Sequence, residues 1–132
     1  MNDELKGGCL CGTVRYVASG SPVNARVCHC RLCQRAIGAA FNARVLYRRE
    51  QVAITGPLQT YPSSPELRRG FCAACGTTLF SLRDSAGLIG VTTGSLDDPT
   101  GFAPAEHIWI SSKQPWVELD DGLPQYAQGP PA

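Results

Sequence analysis

The chain has 132 residues, of which 43% are hydrophobic and 17% charged, and its formal net charge is +1. That length suits one domain and that balance can bury a core, which excludes a disordered chain. A charge so near zero excludes a molecule-wide field for nucleic acid, and no run of about 18 apolar residues is present to span a bilayer.

The opening segment, MNDELKGG, is polar and acidic and lacks the apolar stretch of a signal peptide, so a cytoplasmic location is expected. Thiols stay reduced in that compartment, and patterned cysteines are read first as metal-binding or catalytic. Fourteen glycines and ten prolines favour turns and short strands over long helices. The alternating stretch TVRYVA (13–18) predicts a strand, and AFNARVLY (40–47) a second. Between them, residues 31–38 carry the only helical candidate, one or two turns long. VAIT (52–55) is a short strand ending at Gly56-Pro57. LQTYPSS is broken by Pro62. LRRGF (67–71), TTLFSLR (77–83), LIGVTTGSL (88–96) and EHIWIS (106–111) complete the strands, with the turn-rich LDDPTGFAP between the last two. Asp97 and Asp98 suit that turn. The tail after Trp116 reads as loop, fraying at its end. The fold class is therefore mostly β: one domain of short antiparallel strands with long loops, its core running from about residue 5 to 117.

Seven cysteines fall into three groups: Cys9 and Cys11; Cys28, Cys30 and Cys33; Cys72 and Cys75. An odd total leaves one thiol over in any all-disulfide scheme. Zinc takes four ligands in a tetrahedron, and structural sites favour thiolates. Cys9, Cys11, Cys72 and Cys75, set in glycine-flanked knuckles 60 residues apart, supply one such set and would cross-link distant parts of the chain. The bland alternative is four reduced cysteines packed as small hydrophobes. Iron is a second metal for four thiolates, with zinc preferred.

Cys28, Cys30 and Cys33 then remain. Three protein ligands with an open fourth place is the pattern of a catalytic zinc, and the open place takes water or a substrate sulfur. Arg26, Arg31 and Arg35 lie beside the trio and can offset its negative charge or hold the carboxylates of a ligand. His29, between two ligands, is expected to point away from the metal. A disulfide plus one free thiol, as in a redox sensor, stays open for this group.

The stretches GGCLCGTVRY, CHCRLCQR, GFCAACGTTLF, GSLDDP and HIWISSKQPW, spread over residues 7–116, resemble the glutathione-dependent formaldehyde-activating enzyme family, also called the centromere protein V family. The resemblance implies a zinc-ribbon-like β-tent fold and two zinc ions. One is structural, on Cys9, Cys11, Cys72 and Cys75; the other is catalytic in type, on Cys28, Cys30 and Cys33. It also implies a carbon–sulfur lyase activity of the S-hydroxymethylglutathione synthase kind, with a small thiol or thiol adduct as partner. A zinc-stabilised scaffold or a redox sensor without catalysis is the alternative.

His107, in an alternating segment beside Trp109, is the candidate acid/base, its alternative being a packed strand histidine. Trp109 and Trp116 are candidates to line a pocket or to pack in the core. Arg44, Arg48, Arg49, Arg68 and Arg69 make local basic clusters without an aromatic stacking platform, so no nucleic-acid partner is expected, and no membrane partner.

Overall fold

Strand alternation in the middle of the chain produces a sheet with two unlike faces. The computed structural model describes residues 4–129. In chain order its strands are β1 (Glu4–Gly8), β2 (Arg15–Ser19), β3 (Asn24–Cys28), β4 (Asn42–Arg48), β5 (Val52–Thr55), β6 (Leu58–Ser64), β7 (Leu67–Cys72), β8 (Thr78–Arg83), β9 (Leu88–Thr92) and β10 (Glu106–Ile108). One α-helix, α1 (Arg31–Ile37), follows β3. The strands form a three-stranded sheet, β1-β2-β5, and a seven-stranded sheet, β10-β3-β4-β9-β8-β7-β6. Neighbours pair antiparallel except β10, which runs parallel to β3. Among the described residues no helix is long and apolar enough to cross a membrane.

The core lies between the two sheets. Val45 and Tyr47 of β4, Ile89 and Val91 of β9, and Phe80 and Leu82 of β8 meet Val14, Tyr16, Ala18 and Val52. Burying each of the larger side chains contributes about 1.5–3 kcal/mol. The Tyr16 and Phe80 rings meet edge-on at 5.2 Å, and the Tyr16 hydroxyl reaches Ser95 Oγ at 2.7 Å. Residues alternating with these core positions point to the opposite face of the large sheet. There the register sets Arg26 against Arg44, and Arg69 against Ser81.

Several boundaries differ from the sequence reading. β1 and β3 carry too many polar or glycine residues to signal as strands and are held by pairing with β2 and β4. Pro62 does not end β6, because β6 is the sheet edge and its outward side needs no N–H; the register shifts between Pro62 and Ser64 instead. The strands of 88–96 and 106–111 stop at Thr92 and Ile108, each passing into a single 3₁₀ turn. The tail is irregular but docked. His107 N–H donates to Pro124 O, Tyr126 N–H to His107 O and Trp109 N–H to Gln128 O, extending the edge at β10. The expected fraying falls partly on residues 130–132, outside the described residues.

Candidate functional site

The first cysteine group is made by two turns. Cys9 follows β1, and Cys72 ends β7. In each turn a glycine closes the knuckle, Gly12 N–H donating to Cys9 O at 3.1 Å and Gly76 N–H to Cys72 O at 2.9 Å. Both glycines have φ near +80° (83° and 81°), where a side chain would be strained. The Sγ atoms of Cys9, Cys11, Cys72 and Cys75 lie within 4.8 Å of one another. Cys9 and Cys11 are 3.6 Å apart, and Cys11 and Cys72 are 3.9 Å apart. A tetrahedron with Zn–S bonds of 2.3 Å has edges of about 3.8 Å, so this donor set fits zinc. Backbone N–H groups of Val14, Ala74 and Cys75 point at the sulfurs from 3.3–3.4 Å, as anionic thiolates require. Burial opposes ionisation of Cys9, but the Val14 N–H and the neighbouring Cys11, Cys72 and Thr13 outweigh it and bring the thiol to about 7. The Thr77 hydroxyl and backbone bring Cys75 to about 5.

The second group sits where β3 meets α1. Cys28 ends the strand, Cys30 is the helix N-cap, and Cys33 lies in the first turn. The Cys33 N–H donates to Cys30 Sγ at 3.3 Å, so the cap and the metal-ligand geometry are one arrangement. The three Sγ atoms lie within 4.8 Å of one another, and among the described residues no fourth Cys, His, Asp or Glu atom joins them. The trio fits a zinc site with one place open. Hydrogen bonding to Cys28 and Cys30 pulls the Cys33 thiol well below its ordinary value. Burial opposes this, and the charge and hydrogen bond of Arg69 add to it. Cys30 and Cys33, with burial, push Cys28 up.

These thiols border a cavity of about 630 Å³ on the outer face of the large sheet. Arg26, Arg31, Arg44, Arg69 and Arg83 line it, together with Trp109 and no acidic residue. Arg69 is 5% exposed, donating to Ser63 Oγ at 3.1 Å and to Cys33 Sγ at 3.6 Å. Trp109 follows β10 at φ 59°, a left-handed conformation that is costly for a bulky residue. Arg35, grouped with the trio by sequence, faces a different cleft beside Phe41 and Thr93. Arg44 and Arg69, read only as members of local basic clusters, line the cavity. In sequence the only signal was alternation: both sit one residue from a core-facing or ligand-bearing position.

His29 and His107 meet each other rather than the cavity. His29 is fully buried and its Nε2 lies 3.0 Å from His107 Nδ1; His107 is 4% exposed and its Nε2 lies 2.7 Å from Asp121 Oδ2. Burial, then His107 and Lys113, lower His29 to about 4, so it is neutral near pH 7. His29 is not among the clustered ligand atoms, and His107 is not among the residues lining the cavity. Trp116 is exposed on the surface. Asp98 caps the turn at Thr100, and Asp97 forms an ion pair with Arg15.

A Schizosaccharomyces pombe protein named an uncharacterized lyase is 31% identical over 77 residues, spanning 58% of this chain and 56% of that relative's length. A crystal structure of a Rhodobacter sphaeroides protein superposes with a TM-score of 0.59 at 23% identity, covering 92% of this chain and 98% of that one, and shares the fold. Residues 4–112 match the sequence pattern described as glutathione-dependent formaldehyde-activating enzyme, and the chain belongs to that family.

Proposed function

We propose that the chain is a zinc-dependent enzyme of the carbon–sulfur lyase type, making or breaking adducts between an aldehyde and a small thiol such as glutathione. The observation that carries this reading is the three-thiol cluster with no fourth protein ligand among the described residues, opening on a 630 Å³ cavity. Family membership supports it, as does the lyase name of the Schizosaccharomyces pombe relative. Zinc held by Cys28, Cys30 and Cys33 would supply Lewis acidity and favour the thiolate form of a substrate sulfur.

The chain's own residues set the rest. The N-cap geometry of α1 fixes Cys30 and Cys33 before any ligand arrives. Arg69 holds the charge on Cys33 from within the fold. In the cleavage direction the hydroxyl proton of the hemithioacetal passes to solvent water, the aldehyde C=O bond forms as the carbon–sulfur bond breaks, and the sulfur departs as thiolate. A cavity wall lined by arginines and without carboxylates favours that anion. His107 enters this proposal as a positioning residue: it holds His29, whose backbone joins two of the ligands. Cys9, Cys11, Cys72 and Cys75 carry a second, structural zinc. The site works with reduced thiols, in the cytoplasm, on a small molecule rather than on nucleic acid or membrane.

The test is exchange NMR of the glutathione–formaldehyde adduct with zinc-loaded protein. Acceleration over the uncatalysed exchange, lost in Cys30→Ser with the fold intact, is the expected result. Exchange at the uncatalysed rate with every thiol adduct tried would overturn the enzymatic reading and return the trio to a scaffold or redox-sensing role.

A further inference from the structure

The arginines around the three-thiol cluster are not all matched by carboxylates. Five of them line the adjoining cavity: Arg26, Arg31, Arg44, Arg69 and Arg83. Arg26 pairs with Glu106 at 2.7 Å and Arg83 with Glu66 at 3.3 Å. Arg31 bonds the amide of Gln34, and Arg69 donates to Ser63 Oγ and Cys33 Sγ. Arg44 forms no ion pair among the described residues. Its Nη1 is buried and has no hydrogen-bond acceptor there. A guanidinium taken out of water needs a counter-charge close by.

The sheet carries this side chain toward the thiols. Arg44 of β4 stands opposite Arg26 of β3, on the strand that ends at Cys28. Gly90 of β9 lets its stem cross: a Cβ at that position would come within 3.1 Å of Arg44 Cδ. Glycine inside a strand often marks such a close approach. Burial works against the charge of Arg44, Cys28 and Cys33 favour it, and Arg26 and Arg69 oppose it. The anions that face Arg44 are therefore sulfurs. Three thiolates around a divalent ion carry a formal charge of −1, which is the counter-charge the guanidinium otherwise lacks.

We propose that Arg44 is a positioning residue for the metal at the trio: a buried counter-ion whose charge offsets that of the thiolate–metal group and tightens the hold of Cys28, Cys30 and Cys33 on a divalent ion. It acts through the sulfurs and touches no substrate. Arg69 reaches Cys33 by a hydrogen bond, whereas no such contact is made by Arg44, so its effect follows charge rather than the shape of the guanidinium. The inference rests on the metal assignment of the trio within the lyase reading, and not on turnover.

The test compares wild type, Arg44→Gln and Arg44→Lys, each carrying zinc in the quartet and cobalt in the trio. Chelator competition gives the affinity of the trio, and the sulfur-to-cobalt charge-transfer band reports the charge felt by the sulfurs. A nearby cation lowers the sulfur donor level, so its removal moves the band to longer wavelength. Arg44→Gln is expected to weaken the trio by about 10–100-fold, with a red-shifted band and an unchanged quartet. Arg44→Lys is expected to keep most of the affinity and the wild-type band. A folded Arg44→Gln with wild-type affinity and band overturns the inference. So does Arg44→Lys with the full loss, which decides the matter alone if the glutamine variant does not fold. A wild type that takes up metal at the quartet alone overturns it whichever variants fold. Turnover of thiol adducts with a metal affinity independent of Arg44 overturns this inference and leaves the lyase reading standing. Arg44-dependent metal affinity without turnover does the reverse.

Discussion

Arg69 Nη2 lies 3.6 Å from Cys33 Sγ, with both side chains buried. A guanidinium inside the fold therefore faces a thiolate that is also a candidate ligand. Removing one partner of such a pair leaves the other charge uncompensated, at a cost of about 3–5 kcal/mol. Arg69→Gln is expected to weaken metal binding at the trio while leaving the quartet intact. Chelator competition followed by elemental analysis would show one of two zinc ions leaving early; both leaving together would count against the pairing.

The two cysteine groups should respond differently to substitution. Cys72→Ser removes a fully buried candidate ligand from the group that brings the two knuckles together, so cooperative unfolding and loss of soluble protein are expected. Cys30→Ser keeps an N-cap oxygen for the Cys33 N–H, so the helix survives. Thermal unfolding of the two variants, read beside zinc content, separates these outcomes.

A pH effect follows from His29. Its folded value is about 4, against an ordinary 6.5. Between those values the unfolded chain binds more protons than the folded one, so stability falls as pH drops through that window, by at most about 1.4 kcal/mol per pH unit. His29→Gln removes the titrating group. Denaturation midpoints at fixed zinc, compared between wild type and variant from pH 7 to 4.5, should converge as the pH falls. A constant gap would contradict the assignment.

Asp121 ties the tail to the fold. Its carboxylate accepts from His107 Nε2, and that bond holds Asp121 below the usual carboxylate range. Asp121→Asn weakens this anchor. Hydrogen exchange should quicken at the Trp109 and Tyr126 amides, whose acceptors lie across the tail contact, and stay unchanged at the Cys72 knuckle. Exchange unaltered at Tyr126 would show that the backbone ladder alone holds the segment.

How much of this was legible in the sequence depends on range. The cysteine groups were readable because each pair is local and its spacing is set by turn geometry. The β4 alternation was readable because Val45 and Tyr47 repeat every second residue. The identity of the other face was not: an arginine aimed at solvent and one aimed into a cavity alternate in the same way, so Arg44 and Arg69 were read only as local basic clusters. Pro62 argued for a break because a sequence does not tell an edge strand from a central one. The His29–His107 contact joins residues 78 positions apart through the parallel β3–β10 pairing, which no local signal encodes. For the same reason the tail, polar and rich in turn residues, gave no sign of docking on β10.

The division of the large sheet into a greasy side and a cationic side has a consequence for variation. Along β4, β8 and β9, odd and even positions answer to different demands: one set keeps the protein folded, the other faces the opposite side, where the cavity lies. A saturation library scored separately for abundance and for turnover should therefore show two interleaved stripes, out of phase by a single residue. Such a scaffold can remodel its cavity by changing every second side chain, while the packed half that keeps it standing is left alone.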